Sequence, residues 1–417
     1  MTALLLALCC AAPVQDEPGD GLDWARALEK LDLSVSWGDF SAELHADLEL
    51  ELLAFGKEAP GVSLEDPVLR SNRYGRTRQE DGPEGVGRLT IVLDGAFEEW
   101  LSFDLETRID HGAPSLTGGF LGARLEQYWV RFTVPKTGLL NLELGRFAAP
   151  VGNFIPRSAP RKDPLVTFPV MYDQVTTFMR KTDTAANILG RRNLPAVKDW
   201  RVPIYRELYG IGGMVFGTWE KLSYAFAVMN SAPGSWVFEW PLHTGDFQYP
   251  NFYAHLSYAF DASLSVGASA SRGPYDRADA AGIPVGMNTG DFPQTLAGMD
   301  VHYAIGALDI FAEAYWTRFV APLVDPLELW SWYVEAKYTF LPGLFGALRF
   351  AQMIYGTIRD ALNVPNPWDW DLTRIEFGGG YFFTRNFFVK GTMQLNYTAG
   401  GREPHDNLFI LQLGLGF

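Results

Sequence analysis

Residues 43–52 read ELHADLELEL. Leu44, Ala46, Leu48, Leu50 and Leu52 fall on one face of an extended chain, and Glu43, His45, Asp47, Glu49 and Glu51 on the other. Side chains alternate across a strand, so strict period two predicts a β-strand with one apolar and one charged face. WLSFDLETRID (100–110) repeats the pattern, with Asp104, Glu106 and Arg108 opposite Leu101, Phe103, Leu105 and Ile109. LDIFAEAYW, WSWYVEAKYTF, TRIEFGGGYF and KGTMQLNY do the same.

Followed along the chain, this period predicts 16 spanning strands near 40–54, 86–95, 97–109, 122–134, 139–148, 209–218, 222–230, 251–260, 263–272, 294–305, 308–318, 328–340, 344–355, 371–383, 386–397 and 407–417. The run 31–37 is strand-like as well, and even parity argues that it does not span by itself. Connections alternate in length. Gly95-Ala96, KTGL before residue 140, 220–221, 261–262, 341–343 and 384–385 are short. The others (55–85, 110–121, 149–208, 231–250, 273–293, 356–370) are long. Tight turns at one end and long loops at the other are features of a transmembrane barrel. The charged faces also fit a polar lumen inside a lipid-facing exterior better than a soluble barrel. Trp330 and Trp332 stand at one end of the apolar face of strand 328–340, Tyr338 and Phe340 at the other. At ~3.3 Å per residue and a tilt of ~40°, ten steps project to ~25 Å, the height of a lipid-facing band between aromatic girdles. The expected fold is all-β: a closed antiparallel transmembrane β-barrel of about 16 strands.

The chain has 417 residues and a formal charge of -15, which argues against nucleic acid as a partner. Its only cysteines, Cys9 and Cys10, lie in MTALLLALCCAAPVQD. The apolar run there is too short to span and has the length of a signal-peptide core. Residues 1–14 are read as a cleaved signal, 15–39 as a short periplasmic segment and 40–417 as the barrel. Cleavage leaves no cysteine for a disulfide, metal or nucleophile.

The longest connection, 149–208, follows the fifth spanning strand. A loop of this length is usually functional. It carries a formal charge of +5 in a chain whose remainder carries -20. Arg157, Arg161, Lys162, Arg180, Lys181, Arg191 and Arg192 are candidates for a pore constriction. Positive charge in a narrow opening favours anions. The same cations could instead pin the loop to an acidic lumen wall such as Glu43, Asp47, Glu49 and Glu51; pinning is favoured for most of them. Asp104, Glu106 and Arg108 complete the expected wall.

YWVRFTVPKTGLLNLELGRFAAPVG (128–152) resembles the strand–turn–strand of porins in the phosphate-selective porin O/P-like superfamily, through Gly145, Arg146, Phe147, Pro150 and Gly152. The resemblance implies an outer-membrane porin, a passive water-filled channel for small hydrophilic solutes or ions, with the loop after strand five folded inward. Analogy with porins implies a homotrimer in outer-membrane lipid, delivered by barrel-assembly machinery. The closing LFILQLGLGF (408–417), ending in Phe417, resembles the assembly signal of such barrels. The phosphate-selective members carry an arginine ladder down the lumen that this sequence does not match.

Other chemistry is thin. Asp300 with His302, and His255 with Ser257, share strand faces, and the second pair would serve a rival reading as a lipase-type barrel enzyme. Two residues on one strand make neither a metal site nor a triad. GIGGMVFG (210–217) lacks the helix of a nucleotide loop. Trp236, Trp240, Trp368 and Trp370 read as loop anchors more readily than as a sugar path. No catalytic residue, cofactor or metal is called for. A plugged structural barrel is the third possibility.

Overall fold

The computed structural model describes residues 33–55, 84–111, 121–179, 184–190, 201–205, 209–235, 242, 246–277, 282–399 and 407–416. A four-residue strand, β1 (Ser34–Trp37), precedes the barrel. The spanning strands begin with β2 (Phe40–Phe55), β3 (Glu84–Phe97), β4 (Leu101–His111), β5 (Leu121–Thr133) and β6 (Asn141–Ala148). They continue with β7 (Tyr209–Trp219), β8 (Leu222–Met229), β9 (Asn251–Ala259), β10 (Leu264–Pro274), β11 (Pro293–Ile305) and β12 (Leu308–Phe319). After β13 (Leu327–Leu341) and β14 (Leu344–Tyr355), a small hairpin of β15 (Thr357–Arg359) and β16 (Pro365–Pro367) rises from a long loop. Then come β17 (Leu372–Phe382), β18 (Phe387–Thr398) and β19 (Leu408–Gly416). Each spanning strand pairs antiparallel with the next, and β19 pairs with β2 from Leu408↔Phe55 to Gly416↔Asp47. The result is a closed barrel of 16 strands, as the alternation predicts.

The faces are inverted relative to a soluble protein. Leu50 and Leu52 are 49 % and 48 % exposed on the outside, while Glu49 and Glu51 between them are 4 % exposed in the lumen. Trp330, Tyr338 and Phe340 are exposed at the two ends of β13. Closure leaves no backbone edge facing outward, which a hydrocarbon surround demands. The short turns take left-handed residues: Glu98, Lys136, Glu220, Gly306 and Gly343 all have positive φ. One turn is displaced from its expected place. Gly95 and Ala96 remain in the β3–β4 ladder opposite Phe103 and Ser102, and the chain reverses at 98–100 because Glu98 (φ 50°) takes the left-handed position.

The strand-like run before residue 38 does not span. β1 folds back on β2, pairing Trp37↔Phe40 through Ser34↔Glu43. It thereby covers the stretch of β2 that protrudes past the end of β19.

The buried apolar cluster lies inside the barrel. Phe154, Val170, Met171, Tyr172 and Phe178 from 149–179 pack on Tyr275, Leu296, Tyr315, Tyr333 and Met353 of β10–β14 and their loops. One side of the lumen is therefore filled like a protein core, and a cavity lies on the other side.

Candidate functional site: an inward loop and the channel beside it

Two glycines of the porin-like motif allow close backbone approaches, Gly145 inside β6 and Gly152 where the chain has left it. Gly145 has φ +136°, and a Cβ there would strike the backbone carbonyl of Tyr128. Gly152 has φ +62°, and a Cβ there would strike the Tyr315 hydroxyl and the Glu313 carboxylate. Without side chains at these points the backbone can approach the wall closely. Gly152 N donates to Ser269 Oγ (2.9 Å). Asn153 N and Phe154 N both donate to Glu313 Oε1, at 2.6 and 2.8 Å. Tyr172 Oη donates to the other oxygen at 2.6 Å. Glu313 is thus a buried carboxylate surrounded by donors, the condition under which such a group is tolerated.

Farther along, Arg157 donates to Glu335 Oε1 (2.6 Å) and Tyr333 Oη (2.9 Å), and lies 4.0 Å over the Phe311 ring. Burial opposes its charge, but Tyr333, Glu335 and Asp163 outweigh that and hold it above its ordinary value. Arg349 on β14 bonds Glu335 (2.7 Å), Asp163 (3.1 Å) and the Thr167 carbonyl (2.7 Å). Lys390 on β18 donates to the carbonyls of Pro160 (2.7 Å) and Asp163 (2.9 Å). Val166 N donates to Thr392 Oγ1 (2.9 Å). The lowest reach of the loop is Arg161, bonded to Asn386 Oδ1 (2.9 Å) in the short β17–β18 turn and to Asp47 on β2. The returning limb pairs Thr176 with Arg201, and buried Arg201 stacks 4.8 Å from the Tyr275 ring. Desolvation pushes the Asp163 carboxyl up to about 6 despite its arginine partner.

Three of the seven constriction candidates can be placed. Arg157 is buried on Glu335, Arg161 is paired with Asp47, and Lys162 is exposed on the cavity. Arg180, Lys181, Arg191 and Arg192 lie outside the described residues, as do Phe417, Trp236 and Trp240. Among the described loop residues, the bond to β2 is the one Arg161 makes to Asp47. Glu49 and Glu51 are met by Arg88 on the adjacent strand, at 2.7 and 3.7 Å, with Gln412 Nε2 2.9 Å from Glu51. The reason is register: Arg88 stands directly opposite Glu49. Glu43 is exposed and 3.6 Å from His45. Glu106 accepts from Gln127 (2.8 Å), and Arg108 lies 3.9 Å from Glu126, where a bulge in β4–β5 pairing turns both β5 residues to the wall. Asp104 faces Trp129 across the same ladder.

Glu313, Glu335, Arg349 and Lys390 do most of the holding, and sequence reasoning missed them. Their one signal is a lone charge at a lumen position among aromatic neighbours, as in WYVEAKY and ALRF. His255 Nε2 lies 3.0 Å from Asp300, inside the barrel and away from lipid. Trp368 is buried and donates to the Glu328 carbonyl (2.7 Å), an anchor as expected.

Between the loop and the wall of β2–β5, β18 and β19 lies a cavity of about 390 Å³. Its lining carries five carboxylates (Asp47, Glu49, Glu51, Glu106, Asp163) and four cations (Arg88, Arg108, Lys162, Lys390). The arrangement is a charged cavity displaced to one side of the barrel.

No family model and no curated relative matches the chain. Solved structures do match in fold. An OmpF complex with daunomycin from Salmonella typhi aligns at TM-score 0.56 and 12 % identity, over 91 % of this chain and 98 % of that one. The anion-selective porin from Comamonas acidovorans aligns at 0.55 and 10 %, over 90 % and 99 %. The outer-membrane channel DcaP of Acinetobacter baumannii aligns at 0.54 and 10 %, over 92 % and 99 %. This chain therefore has the fold of the 16-stranded porin-like barrels, along nearly its whole length.

Proposed function

We propose that the protein is an outer-membrane porin of a Gram-negative-type cell, a passive channel for small hydrophilic solutes. The carrying observation is the inward loop: held by Glu313, Glu335, Arg349 and Lys390, it leaves a charged cavity open along β2–β5. The fold shared with porins supports the same reading. A trimeric assembly, a cleaved leader at 1–14 and kinship with the phosphate-selective porin O/P-like superfamily belong to this proposal. Anion preference draws little support from the described loop cations, because Arg157 and Arg161 serve as anchors. Lys162 is the one left facing the cavity among the three described candidates.

Reconstitution into planar bilayers tests the reading. Discrete, steady conductance steps in KCl are expected. Lys162→Gln should shift the reversal potential in a salt gradient toward cations, more than Arg157→Gln does. Absence of any conductance from correctly folded barrels would leave a plugged structural barrel as the better reading.

A further inference from the structure

The two sides of the cavity differ in chemistry. The barrel wall presents charges that are already paired, Glu49 with Arg88 and Arg108 with Glu126, beside the hydrogen-bonded Glu106 and Gln127. On the loop side Pro156 and Ala159 are exposed and Pro160 is half-buried, with half-buried Ser158 and exposed Lys162 beside them; Ile155, Leu165 and Val166 border the cavity but are buried. Arg157 turns away to Glu335, and Arg161 is paired with Asp47 at the edge of the cavity. The loop thus brings a short apolar strip, Pro156, Ala159 and Pro160, flanked by Lys162, opposite a polar ladder of near-balanced charge.

We infer that the passage favours small amphipathic zwitterions of amino-acid size, with an apolar side group against the loop and charged ends against the wall. This rests on the channel reading above. A cavity of about 390 Å³ suits a solute of that size. An apolar surface with a few placed polar groups is the usual composition of a site that orients a small ligand. The paired wall charges offer acceptors and donors without a strong net field, so a dipolar solute gains at both ends while a simple ion gains at one. Polar solutes of equal size must leave the loop strip unmatched.

The test is swelling of liposomes holding the full-length protein, with valine and threonine as probes. They are both zwitterions of nearly equal size and differ by a methyl against a hydroxyl. Valine should enter about three- to fourfold faster, the factor that covering one methylene's worth of apolar surface gives. In Pro156→Ser/Ala159→Ser, at the two exposed positions of the strip, the ratio should fall to about one. Ala159→Ser alone, also at an exposed position, should move the ratio the same way if the double variant does not fold. Equal entry of valine and threonine through the wild-type channel overturns the inference, as does a ratio untouched by either loop variant. Failure of both KCl and erythritol to pass would instead strike the channel reading itself.

Discussion

Arg161 of the inward loop pairs with Asp47 on β2 at the register position where Gly416 of β19 ends the barrel-closing ladder. The guanidinium lies against Gly416, so closely that a Cβ there would overlap it. The apex of the loop therefore sits on the seam between the first and last spanning strands. Gly416 N also donates to the Asn386 carbonyl, and Asn386 Oδ1 accepts from Arg161.

Breaking this contact should loosen the seam. The Arg161–Asp47 pair is partly exposed, so its own worth is about 1 kcal/mol or less. Arg161→Ala should lower by a few degrees the temperature at which the barrel loses its folded migration on a gel. Gly416→Val should cost more, because it displaces the guanidinium and crowds the strand end. Equal heat stability of Gly416→Val and wild type would show that the loop does not support closure. Phe417→Asp, by the likeness of the final strand to an assembly signal, should reduce the yield of inserted barrel.

Glu313 should control the position of the loop. Its carboxylate accepts from two backbone amides and one phenol, and hydrogen bonds to a charged group contribute about 1.5–3 kcal/mol each. Glu313→Ala should leave the barrel folded but raise conductance and current noise, with Glu313→Gln intermediate. Gly152→Ala should behave like Glu313→Ala, since its Cβ meets the same carboxylate. Quiet, wild-type single-channel currents in both variants would remove Glu313 from this role.

Asp163 gives a pH dependence. Burial raises its folded-state value to about 6, above that of an exposed carboxyl, so the folded protein binds the proton more tightly than the unfolded chain. Its contribution to stability is fully present below pH ~4 and is lost as pH rises through about 6. Acidification from pH 7 to 5 also removes one negative charge from the cavity lining. The reversal potential should shift toward anions over that interval, and Asp163→Asn should flatten this part of the titration. An identical titration in Asp163→Asn would assign it to other carboxylates.

Orientation follows from loop length. Cysteines at Lys221→Cys and Leu341→Cys, at short turns, should be protected from impermeant reagents in intact cells. Asn363→Cys, beside the β15–β16 hairpin, should label, and so should Ser71→Cys in the long connection after β2. Labelling at residue 221 would reverse the barrel.

The strands were legible because face alternation is local: each residue's neighbours at i±2 declare its side. All 16 spanning strands can be read this way, from ELHADLELEL to LFILQLGLGF. The reversal after β3 falls at 98–100 and not at Gly95-Ala96, because Glu98 takes the left-handed position there. The loop's path was legible in part, through Gly145 and Gly152. Its anchors were not. Arg157 meets Glu335 across 178 positions and Lys390 meets the Pro160 carbonyl across 230, and no local pattern encodes which cation finds which wall. Charge count alone sent the loop's cations to the acidic face of β2, but Arg88 already stands opposite Glu49 there.

The apolar filling of only one side of the lumen has a mechanical consequence. β10–β14 are buttressed from within by close-packed side chains, and such interiors resist compression. β2–β4 border the cavity, and none of their described residues belongs to that apolar cluster. Lateral pressure from the surrounding bilayer should deform the cross-section at the unsupported arc first. That arc also forms the polar side of the passage, so its bore should respond to membrane thickness and tension more than the outer diameter of the barrel does.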